Sequence, residues 1–209
     1  MKHVFTQILM AGALSGAACA APYVLPSPQT GALTPWDMQP VYAIEGLWGI
    51  ARHSDEPDMW GPRLSFSLYS DAESAVRHHL SLNVAAMWGS KSRYEWSGRS
   101  ETDLFMLPVT VGYDVNIELS ERVLLYVGGK AGYAWGSADS TLHTPYGDFR
   151  HDSSSGGFTC SGGVGLRYMP SDTLYLSLGY EYAVTDFDEH RHGGSFGQHI
   201  ISVGMGWQF

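Results

Sequence analysis

From Ile201 onward every second residue is large and apolar: Ile201, Val203, Met205, Trp207 and Phe209 alternate with Ser202, Gly204, Gly206 and Gln208. A period of two sends successive side chains to opposite faces of a β-strand. Chain ends usually fray and stay polar, so a terminal strand with so greasy a face must lie against a core or against lipid. Seven further stretches repeat the pattern between turn-forming residues. Their apolar faces take alternate positions through Tyr42 to Ile50, Trp60 to Leu68, Leu80 to Trp88 and Phe105 to Tyr113. They continue through Val123 to Trp135, Phe158 to Tyr168 and Leu174 to Val184. No Asp, Glu, Lys or Arg falls on any of these faces.

The opposite faces are small, polar or charged. They carry Glu45, Arg63, Asn83, Thr110, Lys130, Ser161, Arg167 and Glu181, with many glycines such as Gly112, Gly128, Gly163 and Gly204. A soluble sandwich or barrel buries its apolar face and keeps charges away from it. Here the charges share the small-residue face, which suits the crowded interior of a narrow barrel and turns the apolar face outward. Aromatic residues gather near the strand ends (Tyr42, Trp48, Trp60, Trp88, Tyr113, Trp135, Tyr168, Trp207), and two aromatic girdles mark a transmembrane β-barrel. The connections alternate as well. Those over residues 51–59, 89–104, 136–157 and 185–199 are long, whereas 69–79, 114–122 and 169–173 are shorter. The pattern predicts an all-β fold over residues 41–209: an eight-stranded antiparallel up-and-down transmembrane barrel. Short periplasmic turns, long surface loops and two periplasmic chain ends go with it.

The first twenty residues, "MKHVFTQILMAGALSGAACA", read as an export signal, with Lys2 at the positive end and Ala18-Cys19-Ala20 as a small-x-small cleavage site. A lipid-modified Cys19 is the alternative. Cleavage after Ala20 would remove Lys2 and no acid, leaving the chain one unit more negative than its formal net charge of −9. It would also leave Cys160 as a single cysteine, unable to form an intramolecular disulfide. Residues 21–40 hold five prolines and read as a periplasmic lead-in. No later run is long and apolar enough for a membrane-spanning helix. An acidic, lysine-poor composition argues against a nucleic-acid partner.

The export signal, the eight alternating strands and the final "GMGWQF" resemble the small eight-stranded outer-membrane barrels, of the OmpX-like and OmpA transmembrane-barrel type. The resemblance implies residence in the outer membrane of a Gram-negative-type bacterium, among outer-membrane lipid and lipopolysaccharide. It implies that Phe209, with Trp207 before it, is the signal read by the barrel assembly machinery. It says little about activity, because this fold carries unrelated functions.

An eight-stranded barrel is only wide enough to be filled by its own side chains. Glu45, Arg63, Lys130, Arg167 and Glu181 are therefore expected in the lumen as ion pairs, with Lys130 and Glu181 at similar depth. A gated ion path is the other reading of the same residues. His79-Leu80-Ser81 has the His-x-Ser form found in lipid A deacylases of related fold, but its parity turns both groups inward near the periplasmic rim. In the last loop Asp186, Asp188, Glu189, His190 and His192 could hold a divalent cation, yet an acidic loop serves solubility without one. The third loop mixes Tyr146, Phe149 and Arg150 with His143 and His151, a composition suited equally to recognition and to a floppy loop. Cys160 lies on the apolar face as a small filler. Three functions compete: a non-enzymatic barrel with a structural or surface-binding, adhesive role through its loops; a channel for ions or small molecules; and, with least support, a lipid-modifying enzyme. The first is expected, with no cofactor and no metal.

Overall fold

The computed structural model describes residues 41–54, 56–70, 76–95, 98–187 and 195–208. The proposed export signal, the lead-in, Phe209 and the residues 188–192 of the acidic cluster lie outside them. Nine strands follow in order: β1 (Val41–Ala51), β2 (Met59–Ser70), β3 (Val76–Ala85), β4 (Met87–Glu95) and β5 (Gly98–Ser120). Then come β6 (Val123–Thr144), β7 (Gly147–Ser171), β8 (Leu174–Phe187) and β9 (Ser195–Gln208). Every pairing is antiparallel, and the ring closes because β1 bonds to both β2 and β9.

Nine segments make eight staves, since β3 and β4 are one stave broken at Ala86. Both pair with β2 and with β5, and the register does not slip: Val84 faces Val109 and Met87 faces Met106. The break has a chemical cause. Ala86 N–H donates to the Pro62 carbonyl at 3.0 Å, but Pro62 has no N–H to return. On the other side Pro108, next to Val109 on β5, lacks one as well.

Parity follows the expected rule. On β1, Tyr42, Ile44, Gly46 and Trp48 are exposed while Ala43, Glu45, Leu47 and Gly49 are buried. Trp48, Trp60 and Val203 each leave more than 60% of their surface uncovered, at 63%, 64% and 61%. A continuous apolar exterior of this kind belongs in lipid. Its aromatics form two tiers. At the near end, which carries Val41 and Gln208, Tyr42 packs edge-on to Phe66 with centroids 5.7 Å apart. Towards the far end Trp60, Trp88 and Phe105 form a chain at 5.8 and 5.7 Å, and Tyr133 meets Trp135 at 5.1 Å.

The expected long surface loops are corrected by the structure. β5, β6 and β7 are 23, 22 and 25 residues long, roughly twice the 9–11 that cross a bilayer. Most of residues 89–104 belongs to the β4–β5 ladder, which runs out to Glu95↔Gly98. Most of 136–157 belongs to the β6–β7 ladder, which runs out to Thr144↔Gly147. Beyond the membrane both strand faces meet water, so the apolar–polar contrast vanishes although the ladder continues. The turn at Pro145–Tyr146 is tight: Thr144 Oγ1 donates to the Gly147 carbonyl at 2.7 Å and accepts from Tyr146 N–H at 3.2 Å. Gly147 takes φ of +132°, which a side chain would disfavour. The expected connections 114–122 and 169–173 shrink in the same way to residues 121–122 and 172–173.

The interior is layered. Ala43, Leu124, Met169 and Tyr175 form a small apolar cluster at the near end. Charged and polar groups fill the middle. Towards the far end Leu47, Met59, Ala85, Met87, Met106, Ala134, Ala183, Phe196 and Ile200 close the bore.

Candidate functional site

The middle layer of the lumen is a chain of ion pairs carried by strands from opposite walls. β2 delivers Arg63 and β1 delivers Glu45 directly across the ladder; Arg63 Nε donates to Glu45 Oε2 at 2.6 Å. The other arm of the same guanidinium, Nη1, donates to Glu181 Oε2 of β8 at 2.9 Å. Lys130 of β6 donates its ammonium to that same Glu181 oxygen. Ser177 Oγ satisfies the second Glu45 oxygen at 3.2 Å. Nearer the chain ends Arg167 of β7 donates to Asn116 Oδ1 at 2.6 Å and to Asp114 Oδ2 at 3.3 Å. Its guanidinium also lies over Tyr126, 4.5 Å from the ring centre. The structure thus brings Glu45, Arg63, Lys130 and Glu181 into one network and sets Arg167 in a neighbouring one.

Three features escaped the sequence reading. Asp114, assigned there to a connection, is a strand residue that gives Arg167 a carboxylate partner. It balances the layer at three acids and three bases (Glu45, Asp114, Glu181; Arg63, Lys130, Arg167) among the described residues. At the near mouth Arg77 lies 3.7 Å from Glu118. Finally, three methionines on neighbouring staves, Met59, Met87 and Met106, are 0–2% exposed and close the far side of the lumen. Between them and the ion pairs lies a cavity of about 40 Å³ lined by Arg63, Lys130, Glu181, Thr185, Gln198 and Met106 among others. That volume holds on the order of three waters.

Glycines make room for this filling. A Cβ on Gly179 would stand 2.1 Å from the Tyr126 hydroxyl, and one on Gly206 would stand 2.2 Å from the Tyr175 ring. Tyr126 and Tyr175 can lie along the inner wall because nearby strands offer no side chain there.

The His-x-Ser pair faces the same lumen. His79 Nδ1 lies 3.5 Å from Asp114 Oδ2, while Ser81 accepts from Asn83 Nδ2 at 3.1 Å. Of the acidic cluster only Asp186 is among the described residues. Trp207 stands on the outward face, 41% exposed. Cys160 is partly buried on the same apolar side.

Outside the barrel proper, β4–β5 and β6–β7 continue as a four-stranded sheet. In the part distal to the barrel its two outer strands pair on one side among the described residues. Among the described residues β7 meets β8 from Gly157↔Phe187 inward, and residues 147–156 have ladder partners on β6 alone. Among the described residues β4 has a ladder partner on β2 at Trp88 and residues 89–95 have ladder partners on β5 alone, with the Lys91 side chain reaching back to the Ser54 and Glu56 carbonyls. Tyr94 (78% exposed), Tyr146 (95%) and Phe149 (64%) project from this sheet. Arg150 is exposed and donates to Asp152 at 2.8 Å, which holds the Asp152 carboxyl below its ordinary range.

A family model described as "Outer membrane protein beta-barrel domain" matches residues 13–209. This chain belongs to that family. The barrel is accordingly a protein of the bacterial outer membrane. Among solved structures it is similar to Neisserial surface protein A, at 15% identity over 81% of this chain and 96% of that one, with a TM-score of 0.57. It is similar also to the outer-membrane enzyme PagL, at 12% identity over 78% and 97%, with a TM-score of 0.51. Ail, the attachment invasion locus protein of Yersinia pestis, matches at 18% identity over 81% and 97%, with a TM-score of 0.49. At such identities the likeness speaks for the fold alone. No curated protein sequence matches the chain.

Proposed function

We propose that this outer-membrane barrel is a sealed, non-enzymatic anchor that presents a β-sheet at the cell surface for binding a partner. One observation carries the reading: the β4–β7 sheet projects past the apolar belt, and among the described residues its outer strands pair on one side only. A bare edge offers a row of N–H and C=O groups to an extended segment of another chain, while exposed Tyr and Arg nearby supply anchoring contacts. The orientation follows the usual asymmetry of such barrels, with long hairpins outside and short turns, like both chain ends, in the periplasm. The terminal residues Trp207 and Phe209 are the proposed handle for the assembly machinery, and outer-membrane lipid and lipopolysaccharide are the surroundings.

The channel reading has less support, because a methionine layer and a charge-balanced middle layer both lie across the bore. The enzyme reading has least, because His79 and Ser81 turn away from lipid. The test is to shorten both hairpins, replacing 92–101 and 139–152 by tight turns that leave the membrane-spanning ladders intact. Cells displaying the parent should adhere to an epithelial monolayer, and cells displaying the shortened barrel at equal level should not. Equal adherence of the two would overturn the proposal.

A further inference from the structure

We propose that the outward face of β1, β9 and β8, at the far boundary of the apolar belt, binds the phosphate of a lipid headgroup. Arg52 directly follows β1 and continues its ladder, donating N–H to the Gly197 carbonyl at 2.8 Å. Its side chain lies flat across Gly197: a Cβ there would sit 3.4 Å from Arg52 Cδ and 3.0 Å from the Tyr182 hydroxyl. Having crossed β9, Arg52 Nη1 donates to that Tyr182 hydroxyl at 3.3 Å. In the next row Ile50, His199 and Tyr182 stand side by side on β1, β9 and β8. His199 packs against both tyrosine rings, 6.1 Å from Tyr180 and 5.0 Å from Tyr182. Its Nδ1 shares a hydrogen bond with the Tyr180 hydroxyl at 2.7 Å, and Nε2 has no partner among the described residues.

The cluster has the chemistry of an anion site. A guanidinium carries five N–H donors in a fork that matches phosphate, and Arg52 gives one to Tyr182. Among the described residues no carboxylate lies within ion-pair distance of Arg52; Asp186 stands one row further along β8, opposite Ser195. In the tautomer in which the Tyr180 hydroxyl donates to Nδ1, His199 Nε2 carries the proton and is a second donor. In a chain of formal net charge −9, a donor-rich spot on an otherwise apolar wall needs an anion to complement it.

Position says where that anion comes from. Gly197, on which Arg52 lies, is ten residues along β9 from Trp207, about 33 Å of strand and, at a tilt of about 40°, roughly 25 Å along the barrel axis. That is the far edge of an apolar band of about 25 Å. The rows below, with Ile201, Val203 and Leu178, are apolar and exposed, so a bound lipid would lay its acyl chains there and its phosphate on Arg52 and His199. In the proposed orientation this is the outer leaflet, and the lipid is phosphorylated lipid A. The leaflet rests on that orientation, whereas preference for phosphate is measured in detergent, where orientation plays no part, so the two can fail separately.

The refolded full-length barrel in dodecyl maltoside is mixed with diphosphoryl lipid A or with lipid A stripped of its phosphates, and retained lipid is counted by native mass spectrometry. The parent should retain the phosphorylated form about tenfold more. The double variant R52Q/H199Q should lose the preference, and G197V, which displaces Arg52 without deleting its charge, should lose it too. R122Q, which removes a cation at the opposite end, should keep it. Heat-modifiable migration verifies that each variant is folded. Equal retention of the two lipids by the parent, or an unchanged preference in folded R52Q/H199Q or G197V, would overturn the proposal. Displacement of lipid A by inorganic phosphate alone would overturn the lipid assignment and leave a free-anion site.

Discussion

Glu181 holds the middle layer together, and its removal tests how that layer is built. One of its oxygens accepts from both Arg63 and Lys130. Arg63 keeps a second partner in Glu45 at 2.6 Å, whereas no other carboxylate is within ion-pair distance of Lys130 among the described residues. Glu181→Met therefore leaves a buried ammonium uncompensated, and that loss costs on the order of 3–5 kcal/mol. Lys130→Met should cost less, about 1.5–3 kcal/mol, because Glu181 stays bonded to Arg63 and loses one charge-assisted hydrogen bond. In the double variant the Arg63–Glu45 pair survives intact and no lone charge remains. Its loss should fall below that of Glu181→Met alone, giving a coupling of about 2–3 kcal/mol in the cycle. Urea unfolding in lipid vesicles reads all four corners. Losses that simply add would refute the claim that these two groups compensate one another.

Three further outcomes are expected. Gly61→Ala should impair assembly, since the new Cβ would stand 1.8 Å from the Ala86 carbonyl oxygen on the neighbouring stave; a wild-type yield of heat-modifiable barrel would contradict this. In a Cys160→Ala background, a cysteine placed at Asp148 should react with impermeant maleimide on intact cells and one at Asp172 should not, whereas the reverse pattern would invert the topology. Phe209→Ser should lower the amount of inserted barrel without reducing export, and unchanged insertion would remove the assembly role from the terminal aromatic.

The staves were legible because lipid on one side and a packed lumen on the other impose the strongest contrast a strand can carry. Lys130 and Glu181 lie equal distances along strands that start from the same end, and this offset alone set them at one depth. What was not legible has physical reasons. Asp114 follows Tyr113 in a polar stretch that looked like a turn, although Val115, Ile117 and Leu119 continue the outward alternation. The methionine layer was hidden because the inward face had been read as small and polar; Met59, Met87 and Met106 share one parity on three adjoining staves. The long hairpins lost their signature where water replaced lipid. Arg52, Tyr182 and His199 come from distant parts of the sequence, and only barrel closure between β1 and β9 brings them together.

The central claim is that this barrel crosses the outer membrane with a bore closed by its own side chains, leaving function to its surfaces. Planar-bilayer recording of the refolded parent measures this most directly. The methionine layer and the balanced ion pairs require insertion without a steady ionic current at any moderate voltage. A sustained, ohmic current through the unmutated protein would contradict the closed lumen and with it the assignment of function to the exterior.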